Sequence, residues 1–146
     1  MAKTLLGVIF FMKRIENICV FLAGGTVYGI IEMIWRGYTH WSMVLAGGAA
    51  FILIHLLNGR FRTHSIAMRC FIGAVVITLV ELISGIILNL WLDMNVWDYS
   101  EMRWNLLGQI CPAFSAMWFL LCIPAFYLSG VMRMFFDVIS KKERSA

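Results

Sequence analysis

Two acidic side chains, Glu32 and Glu81, lie inside segments of this chain that are otherwise apolar enough to cross a membrane. Moving a carboxylate into hydrocarbon costs on the order of 3 kcal/mol, so such a residue normally faces a partner, a polar cavity or a pathway. Desolvation also disfavours the charged form of a carboxyl group. Each acid is therefore a candidate for hydrogen bonding across a helical bundle, or for binding a proton, a cation or a small solute.

Glu81 lies near the middle of its apolar segment and shares a helical face with small and polar residues. These residues are Gly73, Ala74, Thr78, Ser84, Gly85 and Asn89. Such a face is expected to point into a bundle, because lipid offers no partner for polar atoms. Two interpretations of Glu81 stay open: a structural hydrogen bond between helices, and a role in binding or in proton or cation handling.

Glu32 lies about one turn from the end of its segment, on the face that carries Gly25, Tyr28 and Gly29. The two glycines form a small-xxx-small pattern, which lets a second helix approach closely. Glu32 is expected to contribute to a binding site. The alternative is a carboxylate that reaches toward the interface or pairs with Arg36 one turn on.

Other polar and aromatic residues complete the predicted site. The set expected to bind a solute or an ion is Glu81, Glu32, Tyr28, Asn89, Ser84 and Gln109. The set expected at an outer mouth is Arg36, His40, Trp41, Asp98, Tyr99 and Arg103. Aromatic residues at this level also suit a belt that anchors helix ends at the headgroups, so rim and belt remain alternatives.

The last apolar segment is expected to begin with Asn105, Gly108 and Gln109 and to bend at Pro112 and Pro124. A proline inside a helix frees a carbonyl one turn earlier and bends the axis. This bent backbone suits either a polar cavity or a helix wrapped around its neighbours.

The remaining reactive residue types give no specific signal. His55, one turn before Asn58, is expected to form hydrogen bonds near the membrane interface, and a place on a proton path is the less favoured alternative. The four cysteines show no spacing typical of a disulfide or a metal site, and they are expected to serve as small apolar residues. No metal and no cofactor is predicted.

The elements that position these residues follow from composition. Of the 146 residues, 62% are hydrophobic and 14% are charged, a balance that a soluble domain does not show. Segments long enough to span a bilayer as helices occur at about 17–35, 41–57, 70–92 and 106–131. We predict an all-α membrane protein, with four transmembrane helices in one compact bundle and a single integral membrane domain over residues 1–146. The shorter apolar run Leu5–Met12 is predicted to form an interfacial helix.

The basic residues are distributed unevenly about the predicted spans. All Lys and Arg residues except Arg36 and Arg103 fall before the first span, between the second and third, or after the last. This asymmetry predicts a multi-pass protein of the cell (inner) membrane with both termini in the cytoplasm. It argues against nucleic acid as a partner and favours contact with anionic lipid headgroups.

Motifs of familiar catalytic chemistry do not occur in the sequence. There is no glycine-rich phosphate loop with lysine, no His-Glu-x-x-His and no Gly-x-Ser-x-Gly. An ATP-driven role would need a partner subunit, and an enzymatic function is not expected. An intramembrane enzyme that acts on a lipid headgroup through Glu32, His40, Asp98 and Arg103 is the least favoured of the functional classes.

Several short stretches resemble a known family. They are Gly24-Gly25 with Tyr28 and Glu32, Trp35–Ser42, Trp97–Ser100, and Asn105–Ser115 with Trp118. The similarity covers roughly residues 24–118 and is to the small bacterial membrane proteins called putative ABC-transporter type IV permeases. The resemblance implies a multi-span membrane protein with a role in transport, and it brings no catalytic or binding residues with it.

We therefore expect a permease-like protein that moves a small solute or an ion. Four spans make a thin wall, so the protein is expected to work as a homo-oligomer or with a partner membrane subunit. Glu81 would be the ligand at the membrane midplane and Glu32 the gate at the outer side. The alternative is a non-transporting accessory or interaction subunit, whose small-residue faces pack against a larger complex.

Overall fold

The computed structural model describes residues 2–145, with side chains for residue 7 and residues 9–142. The predicted contributions of Lys3 and Arg144 to the charge asymmetry lie outside the described side chains. Within residues 2–145 the regular structure is entirely helical, with one isolated bridge between Leu106 and Ile110. The structure confirms the predicted all-α class.

Four long helices form the fold. They are α1 (Ala2–Arg36), α2 (Trp41–Arg60), α3 (Ile66–Gly85), which continues as a π-helical turn (Ile86–Trp91), and α4 (Pro112–Ser145). Each contains a window long and apolar enough to cross a membrane. These windows lie within Ile9–Arg36, Trp41–Arg60, Ile66–Trp91 and Pro112–Lys142. The predicted number of helices able to span a membrane is confirmed, and the run Leu5–Met12 is helical but continuous with the first of them.

Local signals set the ends of the first helices. Gly37 follows α1 with a φ of 78°, and its N–H donates to the Met33 carbonyl at 3.0 Å. A left-handed glycine of this kind ends a helix and turns the chain back. The His40 side chain then caps α2, and Ser65 caps α3 by accepting a hydrogen bond from the Met68 N–H.

The predicted start of the fourth helix is wrong. Leu107 and Gly108 have left-handed backbone, with φ of 56° and 68°, so the chain turns there instead of entering a helix. Asn105, Gly108 and Gln109 therefore precede α4. Pro112 is the first residue of α4, a position where proline is favoured and does not bend the helix axis. Of the two prolines, Pro124 is the one inside the helix.

Helix α2 contacts α1, α3 and α4. It packs closely against α1, because a Cβ added to Gly25 would lie 2.5 Å from the Val44 carbonyl oxygen. The structure thus confirms that this small residue permits close helix approach. The largest apolar cluster joins all four helices and consists of Val20, Phe51, Ile54, Cys70, Cys122 and Phe126.

Residues 92–111, here called the cap loop, fold over one end of the bundle. Asn89 in the π-helical turn anchors this loop. Its Nδ2 donates to the Trp97 carbonyl at 2.9 Å, and its Oδ1 accepts from the Val96 N–H at 2.7 Å. The end of the bundle under the cap loop is called the cap end, and the opposite end, where α1 begins and α4 ends, is the terminal end.

Candidate binding site

Glu81 lies inside the bundle, 7% exposed, and accepts two hydrogen bonds. The Tyr99 hydroxyl donates to Oε1 and the Trp118 indole N–H to Oε2, both at 3.0 Å. None of the ion pairs among the described residues involves Glu81. Since each carboxylate oxygen has two acceptor positions, each oxygen of Glu81 keeps one acceptor position unused.

A cavity of about 190 Å³ adjoins Glu81 and receives side chains from all four helices. Its lining is mainly apolar, with Tyr28, Ser84 and the indoles of Trp97 and Trp118 as further polar groups. The volume is below the roughly 300 Å³ from which pockets for drug-sized ligands begin. The cavity therefore suits a small solute or a few water molecules.

Glu32 forms a buried ion pair near the cap end. Its Oε1 accepts from Arg36 Nη2 at 2.6 Å, and its Oε2 accepts from the Thr39 hydroxyl at 2.7 Å. Arg36 Nη1 donates in turn to the Val96 carbonyl at 2.9 Å. The pairing with Arg36, one of the two sequence interpretations, is confirmed, and it ties the end of α1 to the cap loop.

A second cavity of about 100 Å³ includes Glu32 and Arg36 in its lining. Six side chains line both cavities: Tyr28, Ile31, Met43, Trp97, Trp118 and Leu121. The ring centroids of Tyr28 and Trp118 are 5.9 Å apart. Glu32 and Glu81 thus face adjacent cavities that share a wall.

The hydroxyls of Tyr28 and Tyr99 differ in their hydrogen bonding. Within the described residues the Tyr28 hydroxyl has no hydrogen-bond partner, so it is available to a ligand or to water in the cavities. Tyr99 stacks on Phe114 at 4.4 Å and donates to Glu81. Burial and the neighbouring carboxylate raise the pKa of Tyr99 above its ordinary value, so this phenol remains a donor.

Asn89 and Gln109, both predicted ligands, hold the cap loop and do not line either cavity. Asn89 Nδ2 donates to Gln109 Oε1 at 2.7 Å, and the Trp97 indole N–H donates to the Gln109 carbonyl at 3.0 Å. These contacts position Trp97 over the cavities. Tyr28, Ser84 and Glu81 are the predicted ligands that line the cavity at Glu81.

The residues predicted at the outer mouth also fall into two groups, those that line a cavity and those that do not. Arg36 and Tyr99 line the second cavity, whereas Asp98 is exposed and accepts from the Ser100 N–H and hydroxyl. His40 caps α2 and contacts the Ser42 hydroxyl at 2.7 Å. Trp41 and Arg103 are exposed and lie outside both cavities. The 61% exposure of Trp41 agrees with a place in an interfacial aromatic belt.

Sequence analysis missed the indole donors Trp97 and Trp118 and a polar cluster at the terminal end. In that cluster His55 Nε2 lies 3.0 Å from Glu16 Oε1, and His55 Nδ1 lies 2.9 Å from the Ser129 hydroxyl. Glu16 lies one position before the predicted first span, so the hydropathy pattern did not include it in the membrane-spanning bundle. The hydrogen bonding expected of His55 is confirmed, and it links α1, α2 and α4.

The donor set around Glu81 limits the chemistry of a ligand. An acid with unused acceptor positions in apolar surroundings favours a cation or a group that donates N–H or O–H hydrogen bonds. Among the described residues no group of three or more His, Cys, Asp or Glu side chains is placed to hold a metal ion.

We expect Arg36→Met to destabilise the fold by about 3 kcal/mol, because removing one partner leaves a buried charge without compensation. Unfolding by titration with a denaturing detergent in mixed micelles measures this change. Arg103→Met is the matched control, since Arg103 is exposed and makes no ion pair among the described residues. Equal stabilities of the two variants would contradict the prediction.

Comparison with known proteins adds a family. The family described as "Putative ABC-transporter type IV" matches residues 38–145, a region that holds α2, α3, the cap loop and α4. No curated protein and no solved structure matches the chain. The match covers well over half of the sequence, and the four helices are long and apolar enough for a multi-pass membrane protein. The chain therefore belongs to the family described as "Putative ABC-transporter type IV".

Proposed function

We propose that this protein is a permease-like transporter that binds a small solute or an ion at Glu81 and moves it across the membrane. The observation that carries the proposal is a buried carboxylate with unused acceptor positions beside a cavity of about 190 Å³. Buried acids in membrane helices mark substrate and proton pathways more often than they serve as inert packing. A ligand with a cationic or hydrogen-bond-donating group fits this acid best.

The arrangement of the two cavities supports a path with two compartments. Glu32 and Arg36 line the compartment nearer the end of α1, and Glu81 lines the deeper one. The Tyr28 and Trp118 rings belong to the wall between them. We infer that a ligand passes from the first compartment to the second by displacing this ring pair, with the free Tyr28 hydroxyl as an intermediate hydrogen-bond partner.

A ligand that passes through the cap end of the bundle must pass the cap loop. Tyr99 contacts Glu81, and Trp97 lines both cavities, so both side chains cover the acid from the cap end. Movement of a ligand through this end requires the loop to shift. The hydrogen bonds of Asn89 to the loop then define the fixed point about which it moves.

The energy source and the partners follow from what this chain supplies. It contains no phosphate-binding loop, so ATP hydrolysis, if it drives transport, comes from a partner subunit. A homo-oligomer, or a pairing with a partner membrane subunit, would complete the wall around the path. The charge asymmetry supports a place in the cell (inner) membrane with both termini in the cytoplasm.

Flux measurements test the proposal. Purified protein in proteoliposomes is supplied with a panel of small cations and amine-bearing solutes at two pH values. We expect flux with the wild type and its loss in Ala50→Phe, because Ala50 lines the cavity at Glu81 and a phenyl ring fills part of it. Ala67→Phe, the same change at an exposed position of α3, should keep the flux.

The second candidate function is a non-transporting accessory subunit. The hydrogen bonds from Tyr99 and Trp118 favour it, because they give Glu81 a structural role that needs no ligand. Absence of flux with the wild type across the panel, in protein shown to be folded by circular dichroism, would overturn the transport proposal. A stable complex with another membrane protein, isolated from the native membrane, would then support the accessory role.

A further inference from the structure

Two arginines at the terminal end of the bundle lack a carboxylate partner. Arg69 lies in the first turn of α3 and donates through Nη2 to Asn58 Oδ1. Arg133 on α4 donates through Nη2 to the His55 carbonyl at 2.6 Å. None of the ion pairs among the described residues includes either guanidinium. Charged groups that are partly removed from water normally have a counter-charge, so these two positive charges call for an anion.

Most of the donor capacity of both groups is unused. A guanidinium has five N–H donors in a fixed fork. The guanidiniums of Arg69 and Arg133 each donate one hydrogen bond. The Nε atoms of Arg69 and Arg133 are both buried and have no hydrogen-bond partner. Because buried Nε atoms are out of reach of a ligand, the available donors are the remaining Nη N–H groups, which match the oxygens of a phosphate or carboxylate group.

The two side chains flank the same part of α2. Arg69 reaches Asn58 from α3, and Arg133 Nη1 lies 2.8 Å from where a Cβ on Gly59 would stand. Asn58 and Ser129, one turn before Arg133 on α4, are joined by a hydrogen bond of 2.9 Å. The guanidiniums therefore approach α2 at successive residues and converge on one region between α2, α3 and α4.

Glu16, a buried acid at the same end of the bundle, forms no ion pair with either arginine. Glu16 is already engaged by His55 at 3.0 Å and by Lys13 at 3.1 Å. The first turn of α3 contains no acidic residue, so the positive end of its helix dipole adds to the charge. The local electrostatics thus favour a negatively charged ligand.

The depth of the site indicates the source of the anion. Arg133 lies about 32 Å along α4 from Pro112, at 1.5 Å per residue, which is close to the thickness of the hydrocarbon core. Arg69 lies about 33 Å from Trp91 by the same estimate. Both guanidiniums are therefore at the level of one layer of headgroups, where basic pockets between helices bind anionic lipids.

We propose that Arg69 and Arg133 form a binding site for a phosphate group, occupied by the headgroup of an anionic phospholipid. The lipid phosphate accepts hydrogen bonds from the Nη groups of the two guanidiniums at the terminal end, beside α2, α3 and α4. This site is separate from the cavity at Glu81, and it does not depend on a transport function.

Lipid binding in nanodiscs or detergent tests the site. The full chain is titrated with phosphatidylglycerol, phosphatidylcholine or inorganic phosphate, and binding is followed by native mass spectrometry and by thermal stability. We expect retention of phosphatidylglycerol over phosphatidylcholine. The double variant Arg69→Gln/Arg133→Gln should bind phosphatidylglycerol at least about tenfold more weakly, because charge-assisted hydrogen bonds are lost.

The control is Arg60→Gln/Arg62→Gln, which removes the same charge from exposed positions at the same end and should retain the lipid. If the glutamine variant does not fold, Arg69→Lys/Arg133→Lys keeps the charge and removes the forks, and it should still weaken binding. Equal losses in both arginine pairs would overturn the site in favour of general surface charge. Stabilisation by inorganic phosphate without phosphatidylglycerol would overturn the lipid assignment and identify a soluble phosphate.

Discussion

Glu81→Gln is expected to abolish transport and to leave the bundle folded. Glutamine has nearly the same shape, and its Oε1 can accept the Trp118 N–H while the Tyr99 hydroxyl reverses to accept from the new amide. The fold is therefore retained. The amide cannot ionise to balance a cationic ligand, and loss of a buried charge partner costs about 2–5 kcal/mol, a factor of roughly 30 or more in ligand affinity.

Flux in proteoliposomes at two pH values measures this effect, with circular dichroism as the measure of folding. Glu101→Gln is the matched control, because Glu101 is an exposed carboxylate in the cap loop. It removes the same charge and should leave flux unchanged. Wild-type flux in Glu81→Gln would remove Glu81 from the pathway, and the hydrogen bonds to Tyr99 and Trp118 would then be its whole role.

The helices of this protein could be predicted because membrane spans depend on composition over many residues. Four long apolar segments are unambiguous even without knowledge of their neighbours. The start of α4 could not be placed by the same criterion, because Leu106 and Leu107 are as apolar as a span. The informative signals there were Gly108, suited to a left-handed turn, and Pro112, favoured at the first helical position.

The candidate site was predicted in part for a related reason. Glu81 and Ser84 share a face of one helix, so helical spacing alone placed them together. Pairing of Glu32 with Arg36 was likewise a local interaction one turn apart. Tyr99 reaches Glu81 only through the path of the cap loop, and no local pattern encodes a contact of that kind.

The position of Asn89 and Gln109 outside both cavities has a physical cause. Both are polar side chains next to apolar segments, and sequence cannot distinguish a ligand from a residue that satisfies loop backbone. The irregular backbone of the cap loop leaves groups without regular partners. Asn89 bonds the Trp97 carbonyl and the Val96 N–H, and Gln109 Nε2 donates to the Leu107 carbonyl. Buried backbone groups need hydrogen-bond partners, so these side-chain amides bond to the loop backbone and not to a ligand.

Gly25→Leu is expected to destabilise the protein by more than about 3 kcal/mol, because overpacking of this contact cannot be relieved by side-chain movement. A Cβ at this position would lie 2.5 Å from the backbone oxygen of Val44 and 3.0 Å from its Cγ1. The obstacle is backbone of α2, so α1 and α2 must separate. Titration with a denaturing detergent, followed by circular dichroism, measures the loss of stability.

Gly7→Leu is the control, since Gly7 lies on the same helix and a Cβ there would meet nothing within 4 Å. It should be neutral or slightly stabilising, because leucine has the higher helix propensity by up to about 1 kcal/mol. Gly25→Ala should fall between the two, as its single methyl meets the same carbonyl. If Gly25→Leu were as stable as Gly7→Leu, the close approach of α1 and α2 would be wrong. The wall that carries Tyr28 against Gly47 would then need a different placement, since that contact belongs to the same helix pair.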